Sequence, residues 1–267
     1  MTDVLKFTIL GCGSSGGVPR LGNMWGECDP KNPKNRRQRC SLLVERITDA
    51  GRTTVLIDSS PDMRAQLLDA QVMHMDAVVY THEHADHTSG LDDLRQFVLH
   101  QRAQMPVYAD ARTQKALLDR FNYAFIQPEG SFYSAILQLN ALESITTING
   151  AGGPISFEAL NVAHGNIMAN GFRINDLVYM PDVSDIPDEI WPRLTGLSHF
   201  IIDALQRKPH KTHAHLDKTL DWIERIKPTQ AVITNMHIDL DYDYVANNSP
   251  DHVKPAFDGL TIEIPAS

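Results

Sequence analysis

Four potential metal ligands occur within six residues, directly after a short apolar run. The run covers residues 77–80, and the ligands are His82, His84, Asp86 and His87. Side chains two residues apart in an extended chain point the same way, so we expect His82 and His84 to face one point. Asp86 and His87 come where the chain turns toward a helix, so we expect them to face a neighbouring point. The pattern predicts a pair of metal ions, which lie roughly 3.5–4 Å apart in hydrolytic centres.

The amino-acid composition favours a metal site built from imidazole and carboxylate groups. The 267 residues include 12 histidines but only 3 cysteines. So few cysteines give no disulfide framework and indicate a reducing compartment. Lys and Arg number 24 against 33 Asp and Glu. The formal charge of −9 argues against a protein whose whole surface binds nucleic acid, because such a surface would be basic, but it leaves room for one local basic site.

Neither a signal peptide nor a membrane span is apparent in the sequence. The first residues lack a basic stretch followed by a long apolar run, and no stretch of about 18 apolar residues occurs. We therefore expect a cytoplasmic protein with no membrane partner.

Apolar runs and helical periodicity alternate along the chain. Strands are predicted over residues 4–10, 41–47, 53–58, 77–80, 106–109, 200–203 and 231–234, with several more between 145 and 180. Helices are predicted over residues 61–70, 90–100, 111–140 and 216–226. The chain shows no repeat and no low-complexity linker, so we expect one domain over residues 1–267. Along the chain, strands come first and are followed by alternating helices and strands. This order favours two sheets sandwiched by helices.

The motif at residues 82–87 resembles the HxHxDH signature of the metallo-β-lactamase superfamily. Four further stretches are similar to one branch of it, which contains the cyclic-phosphate phosphodiesterase associated with carbon–phosphorus lyase. These stretches are residues 11–19, 35–41, 180–184 and 237–242. The resemblance covers nearly the whole chain. It implies an α/β fold in which two mixed β-sheets, flanked by helices, form a four-layer αββα sandwich.

The resemblance also implies further metal ligands at the ends of later strands. His164 follows an apolar strand and fits the next position, and Asp182 fits the bridging carboxylate. Relatives often have a histidine where Asn235 stands, while His237 lies two residues later on the same side of an extended chain. We take His237 as the last ligand and keep Asn235 as the alternative.

The implied centre holds two divalent ions, zinc or manganese, since imidazole and carboxylate ligands accept either metal. One ion is implied on His82, His84 and His164 and the other on Asp86, His87 and His237, with Asp182 bridging both. Two divalent ions and two ionised aspartates leave a formal charge of +2. That charge suits a phosphate substrate and a metal-bridging hydroxide at neutral pH.

Hydrolysis of a phosphate ester also requires a general acid that protonates the leaving alkoxide. His213 stands just before a predicted helix, where related phosphodiesterases place a catalytic histidine. Asp203, at the end of an apolar strand, would orient it, and His215 is the competing candidate. Asp86, Asp203 and His213 are therefore the candidate catalytic residues.

A basic stretch in the long early loop is a candidate for substrate binding. Arg36, Arg37 and Arg39 lie within four residues, and arginine makes bidentate contacts with phosphate. Ser14 and Ser15, in the glycine-rich turn after the first strand, would add further phosphate contacts. A solvated loop and a plain tight turn are the alternatives.

These features predict a dinuclear metal-dependent phosphodiesterase acting on small phosphodiesters or cyclic nucleotides. Aromatic residues between 121 and 133 would either stack on a nucleobase or pack in the core. A tRNA 3′-end endonuclease of the same superfamily is an alternative, although the acidic charge makes nucleic acid a less favoured partner. A thioester hydrolase and a non-catalytic nucleotide-binding protein stay open, as does a homodimer.

Overall fold

Two mixed β-sheets of seven strands each form the framework of the protein. The computed structural model describes residues 3–127 and 129–266. The first sheet contains β1 (Asp3–Gly11), β2 (Ser41–Thr48), β3 (Gly51–Ile57), β4 (Ala77–Val79), β5 (Met105–Ala109), β6 (Leu137–Ala141) and β14 (Leu260–Pro265). Its strands lie in the order β14-β1-β2-β3-β4-β5-β6.

The second sheet contains β7 (Ile145–Ile148), β8 (Ile155–His164), β9 (Ile167–Ile174), β10 (Leu177–Met180), β11 (His199–Asp203), β12 (Gln230–Thr234) and β13 (Val253–Pro255). Its strands lie in the order β13-β12-β11-β10-β9-β8-β7. Strands β10 to β13 pair in parallel, while β8, β9 and β10 pair antiparallel in turn. The predicted fold class, α/β with two mixed sheets flanked by helices, is confirmed.

The α-helices of the described chain are α1 (Met63–Asp69), α2 (Ala85–Thr88), α3 (Arg95–Gln101), α4 (Ala111–Phe125), α5 (Leu216–Ile226) and α6 (Tyr242–Asn247). Helix α5 coincides with the predicted helix over 216–226. Among the described residues, none of the helices has both the length and the apolar character that crossing a bilayer requires.

The chain forms two compact units, and each includes more than one stretch of sequence. The first contains the described residues of 1–10, 41–156 and 261–267, and the second contains residues 11–40 and 157–260. The prediction of a single domain stays a prediction.

Each unit has an apolar core of its own. In the first unit, Val78 and Val107 of the central strands are fully buried together with Leu117 of α4. In the second unit, Phe157 and Phe172 pack edge to face with their ring centroids 6.1 Å apart. Such aromatic pairs add to the free energy gained by burying apolar area.

Parallel pairing brings polar residues together at strand ends within each sheet. Strand β3 pairs in parallel with β4, with Ile57 opposite Val79, so Asp58 lies beside the residues that follow β4. Strand β11 pairs in parallel with β12, with Asp203 opposite Thr234. The carboxyl ends of parallel strands are where α/β proteins usually bind ligands.

The predicted helix over residues 111–140 is wrong beyond Phe125. Helix α4 ends there, and β6 pairs in parallel with β5 at the edge of the sheet, with Leu137 opposite Met105. Both of these residues are buried in the core of the first unit. Sheet pairing and burial therefore override the local helical pattern. Pro128, within the predicted helix, lies outside the described residues.

Candidate metal centre

The motif loop, residues 82–87, brings three imidazole rings together in the first unit. The ring centroid of His82 lies 4.5 Å from that of His84 and 4.4 Å from that of His87. His84 is the N-cap of α2 and has extended backbone angles, so the chain turns from extended to helical between His84 and His87. His82 and His87 are buried and His84 is exposed. Asp86 Oδ2 lies 3.5 Å from His87 Nε2.

Hydrogen bonds hold one ring nitrogen of each buried histidine in this loop. His87 Nδ1 lies 2.7 Å from Asp58 Oδ2, and His82 Nδ1 lies 2.9 Å from Thr81 Oγ1. Metal-binding histidines almost always direct their second ring nitrogen to a carboxylate or another oxygen in this way. With Nδ1 held, Nε2 of each ring is the nitrogen suited to a metal ion.

Asp58 is a functional candidate that sequence reasoning missed. Its carboxylate accepts hydrogen bonds from the Thr81 backbone N–H and hydroxyl at 2.8 and 2.7 Å, in addition to contacting His87. Burial raises the pKa of Asp58, and the neighbouring His87 opposes that rise. One feature of the sequence could have indicated it: Asp58 is an acidic residue at the end of the predicted strand over 53–58, and the next strand precedes the motif loop.

Glu83 of the motif loop binds helix α4. Its side-chain Oε1 accepts a hydrogen bond from Arg112 Nε at 2.6 Å. Its backbone carbonyl accepts one from Arg120 Nη1, also at 2.6 Å. Because both arginines lie on α4, this helix fixes the backbone of the loop that carries the histidines.

A second group of candidate ligands lies in the second unit. His164 ends β8, and Asp182 follows β10 by two residues. The ligand atoms of His164, Asp182 and His213 all lie within 4.8 Å of one another. His164 Nδ1 lies 2.7 Å from the Thr212 carbonyl oxygen, so its Nε2 is the nitrogen suited to a metal. That Nε2 lies 3.8 Å from Asp182 Oδ1.

His213 pairs with the carboxylate that the sequence assigned to it. His213 Nδ1 lies 2.8 Å from Asp203 Oδ2, and that oxygen also accepts a hydrogen bond from the Val183 backbone N–H at 3.1 Å. Burial raises the pKa of Asp203 to about 7, although its contact with His213 acts in the opposite direction. The competing candidate, His215, instead occupies the N-cap of α5.

Asn235 lies beside Asp182. Its side-chain amide is 3.3 Å from Asp182 Oδ1 and 3.3 Å from His213 Nδ1. His237 instead pairs with Asp239, with His237 Nδ1 3.5 Å from Asp239 Oδ1. The choice of His237 as the last metal ligand therefore stays a prediction.

The three arginines of the early loop do not form the common basic surface that the sequence predicted. Arg37 is only 2% exposed, and its Nη2 donates to Asn35 Oδ1 at 3.1 Å. Arg36 is exposed, with its guanidinium 5.6 Å from the ring centroid of Trp25, and Arg39 is half-buried. Alternate residues of an extended segment face opposite sides, so the chain turns Arg37 inward. Phosphate contacts by Arg36 and Arg39 stay predictions.

The glycine-rich turn places its two serines differently. Ser14 is 2% exposed, whereas Ser15 is exposed. The Ser14 carbonyl accepts a hydrogen bond from the Gly17 N–H at 2.7 Å, as in a tight turn. Phosphate contacts by these serines also stay predictions.

The three cysteines of the second unit are free thiols and are buried. Burial raises the pKa of Cys12, Cys28 and Cys40. Among the described residues, the groups that have metal-ligand geometry include no cysteine. A site of nitrogen and oxygen ligands is thus the one that the side chains favour.

Comparison with known proteins places this chain among metal-dependent hydrolases. The profile of the beta-lactamase superfamily domain matches residues 53–238. A solved structure described as a new diphosphatase from the PhnP family is 33% identical, with a TM-score of 0.85 over 98% of this chain and 97% of that chain. The short form of human tRNase Z is 14% identical, with a TM-score of 0.65 over 97% of this chain and 99% of that one, and so shares the fold.

One curated relative is longer than this chain. A protein named octanoyltransferase from Porphyromonas gingivalis is 32% identical over 259 residues. The match covers 96% of this chain but 51% of that protein, so the chain spans about half the length of this relative.

Proposed function

The chain belongs to the metallo-β-lactamase superfamily, and we propose that it is a phosphodiesterase acting on small phosphodiesters or cyclic nucleotides. The likeness to a PhnP-family diphosphatase over nearly the full length of both chains supports a metal-dependent hydrolase. The finer assignment depends on the side chains of the candidate centre.

The observation that carries the proposal is the group formed by His164, Asp182 and His213. Their ligand atoms lie within 4.8 Å of one another, and His164 and Asp182 are buried. Burying a carboxylate costs much free energy unless a cation or hydrogen-bond donors compensate it. The mixture of imidazole nitrogen and carboxylate oxygen fits a divalent cation such as zinc or manganese.

Two ions are proposed, with the ligand set that the superfamily motif implies. The proposed ligands are His82, His84 and His164 for one ion and Asp86, His87 and His237 for the other, with Asp182 shared. When bound, the ions would activate water and stabilise negative charge on the phosphoryl oxygens. Their formal charge of +4, less that of two aspartates, leaves +2 at the site, although the chain as a whole carries −9.

His213 is the proposed general acid, and Asp203 is its positioning residue. With Nδ1 directed at Asp203, the protonated ring would donate from Nε2. Donation of that proton to the departing alkoxide oxygen avoids release of a strongly basic anion. The buried carboxylate holds the ring in the orientation that this transfer requires.

Two relatives suggest other substrates. The PhnP-family structure is described as a diphosphatase, so hydrolysis of a diphosphate bond is the second candidate. The octanoyltransferase name belongs to a protein of which about half lies outside the match, so its acyl-transfer activity is a weaker guide to this chain. A thioester hydrolase nevertheless stays in the test because divalent ions also polarise carbonyl groups.

The experiment is a substrate panel with protein loaded separately with zinc and with manganese. The panel contains bis-p-nitrophenyl phosphate, cyclic nucleotides, a dinucleoside diphosphate, pre-tRNA, a thioester and a β-lactam. We expect turnover of the phosphodiesters that disappears on chelation and returns with metal. Activity on the thioester alone would overturn the proposal. Cleavage of pre-tRNA alone would identify an endonuclease, and nucleotide binding without turnover would identify a non-catalytic binding protein.

We also propose that the protein is cytoplasmic. The three thiols are free and form no disulfide, which agrees with a reducing compartment.

A further inference from the structure

A cavity in the first unit lies outside the candidate ligands and is lined by aromatic and polar side chains. Its volume is about 370 Å³, within the range typical of small-ligand sites. The lining residues are Arg95, Tyr123, Ser131, Tyr133 and Ser134. We propose that this cavity, the tyrosine pocket, binds the base of a nucleotide substrate. The inference rests on the proposed phosphodiesterase function and names its substrate class.

One wall of the tyrosine pocket is held by Asp92. Its Oδ1 accepts hydrogen bonds from Tyr123 OH at 3.0 Å and from Arg95 Nη2 at 2.9 Å. This shared acceptor fixes the phenol ring and the guanidinium relative to each other. A wall that is ordered before binding lowers the entropy cost of binding a ligand.

Another part of the lining belongs to a segment with hydrogen bonds of its own. Gln127 Nε2 donates to the Ser131 carbonyl at 2.8 Å. The Tyr133 backbone N–H donates to Ser131 Oγ at 3.1 Å. Tyr133 is nevertheless 79% exposed, and Tyr123 is 48% exposed. Two tyrosine rings are thus presented to solvent at one cavity rather than buried in the core.

Helix α4 connects the tyrosine pocket to the motif loop within the first unit. Arg120, on α4, donates to the Glu83 carbonyl at 2.6 Å and lies 3.4 Å from Thr88 Oγ1. Tyr123 lies three residues further along α4, beyond a kink at Phe121, and its hydroxyl binds Asp92, which is five residues after His87. A base in the pocket would therefore lie near the loop that carries the proposed metal ligands.

The chemistry of the tyrosine pocket suits a base better than an alkyl group. Aromatic side chains stack on bases of any sequence, and this stacking raises affinity by roughly 5- to 150-fold per base. Arginine stacks on planar rings as well as donating hydrogen bonds. The hydroxyls of Ser131 and Ser134 can donate to and accept from the polar edge of a base. An alkyl ester would use neither the stacking faces nor these polar groups.

The test compares two ligands that share a sugar and a phosphate but differ in the base. Binding of adenosine 5′-monophosphate and of ribose 5-phosphate to the metal-loaded protein is measured by calorimetry. We expect the nucleotide to bind about tenfold more tightly, the factor that one stacked base supplies. In Tyr133→Ser the affinity for the nucleotide should fall about tenfold, while the affinity for ribose 5-phosphate stays the same. Tyr133→Phe, which keeps the ring, should retain tight nucleotide binding.

Phe132 provides the matched control because it is a fully exposed neighbour that does not line the pocket. Phe132→Ser should leave both affinities unchanged. Equal affinity of the wild-type protein for the two ligands would overturn the inference, as would equal nucleotide losses in the two serine variants. Hydrolysis of bis-p-nitrophenyl phosphate is measured on the same preparations. If the protein hydrolyses the phosphodiester but binds both ligands equally, only the base-binding role of the pocket is refuted. If it prefers the nucleotide but hydrolyses no phosphodiester, only the proposed function is refuted.

Discussion

His213, which is partly exposed, pairs with the buried Asp203, and the histidine Nδ1 lies 2.8 Å from the aspartate Oδ2. The contact directs Nδ1 at the carboxylate, so Nε2 is the nitrogen from which His213 would donate a proton. His213 also lies within 4.8 Å of His164 and Asp182 and could instead bind metal there. The two roles give different results on mutation.

We expect His213→Ala to lower kcat about 10²- to 10⁴-fold for a phosphodiester with an alkyl leaving group, the range typical of a lost general acid. The loss should be much smaller for bis-p-nitrophenyl phosphate, because p-nitrophenolate leaves without protonation. Metal content, measured by elemental analysis, should stay at the wild-type level. His215→Ala serves as the control and should retain activity on both substrates. A variant that loses a metal ion along with its activity would make His213 a ligand.

Removal of the carboxylate behind His87 should weaken metal binding. Asp58→Asn keeps the size of the side chain but loses the charge that faces His87 Nδ1 at 2.7 Å. Removing the hydrogen-bond partner of a metal-binding histidine typically lowers metal affinity 10- to 100-fold. We expect a loss of affinity of about that size when the variant competes with a chelator for metal. Asp69→Asn, at an exposed position, is the control. Equal affinities in the two variants would show that Asp58 does not tune the site.

The last ligand can be identified by counting metal ions. We expect His237→Ala to lose one of two ions and Asn235→Ala to keep both, since imidazole binds these metals better than a neutral amide. The contact between Asn235 and Asp182 at 3.3 Å makes the opposite result a real alternative. Loss of an ion from the Asn235 variant with two retained in the His237 variant would exclude His237.

Stability should depend on the protonation of Asp258. Its carboxylate accepts hydrogen bonds from the backbone N–H groups of Cys12 and Gln38 at 3.1 and 2.7 Å. Burial raises its pKa to about 7, although these donors act in the opposite direction. The unfolded chain has the ordinary, lower pKa, so unfolding releases a proton between about pH 4 and pH 7. The contribution of Asp258 to the free energy of unfolding is therefore fully present below pH 4 and is lost as the pH rises to 7. The loss is up to about 1.4 kcal/mol per pH unit.

Asp258→Asn removes this proton release. We expect the Tm of the variant, relative to the wild type, to rise between pH 4 and pH 7 and to level off above pH 7. Each kcal/mol should appear as roughly 2–4 °C for a chain of this size. The measured quantity is the change of this Tm difference with pH. The hydrogen bonds altered by the substitution shift the Tm of the variant by the same amount at every pH. Asp251→Asn, at an exposed position, should show no such trend. A flat difference for Asp258→Asn would refute the assignment.

The motif loop could be predicted from sequence because its chemistry is local. The spacing of His82, His84 and His87 and the preceding apolar strand specify where the rings point. Asp203 and His213 were paired from the superfamily resemblance and the strand end, and the structure gives their contact. Asp58 was missed because it meets His87 only through the parallel register of β3 and β4, which no local pattern encodes.

Burial was the other property that the sequence did not reveal. Arg37 looked like its neighbour Arg36, yet strand-like alternation turns it inward, where its guanidinium binds Asn35. The helix predicted over residues 111–140 ends at Phe125, and Leu137–Ala141 instead pair with β5 as strand β6. In both cases long-range contacts prevailed over a short-range pattern.

The burial of all three thiols has a practical consequence for spectroscopy. Maleimides and related labels react with thiolates, and burial that raises the pKa of Cys12, Cys28 and Cys40 keeps these groups protonated and inaccessible. A single cysteine introduced on the surface, as in Phe132→Cys, would then be labelled selectively without first removing the native cysteines. A fluorophore at that position would report occupancy of the neighbouring tyrosine pocket in the otherwise unaltered protein.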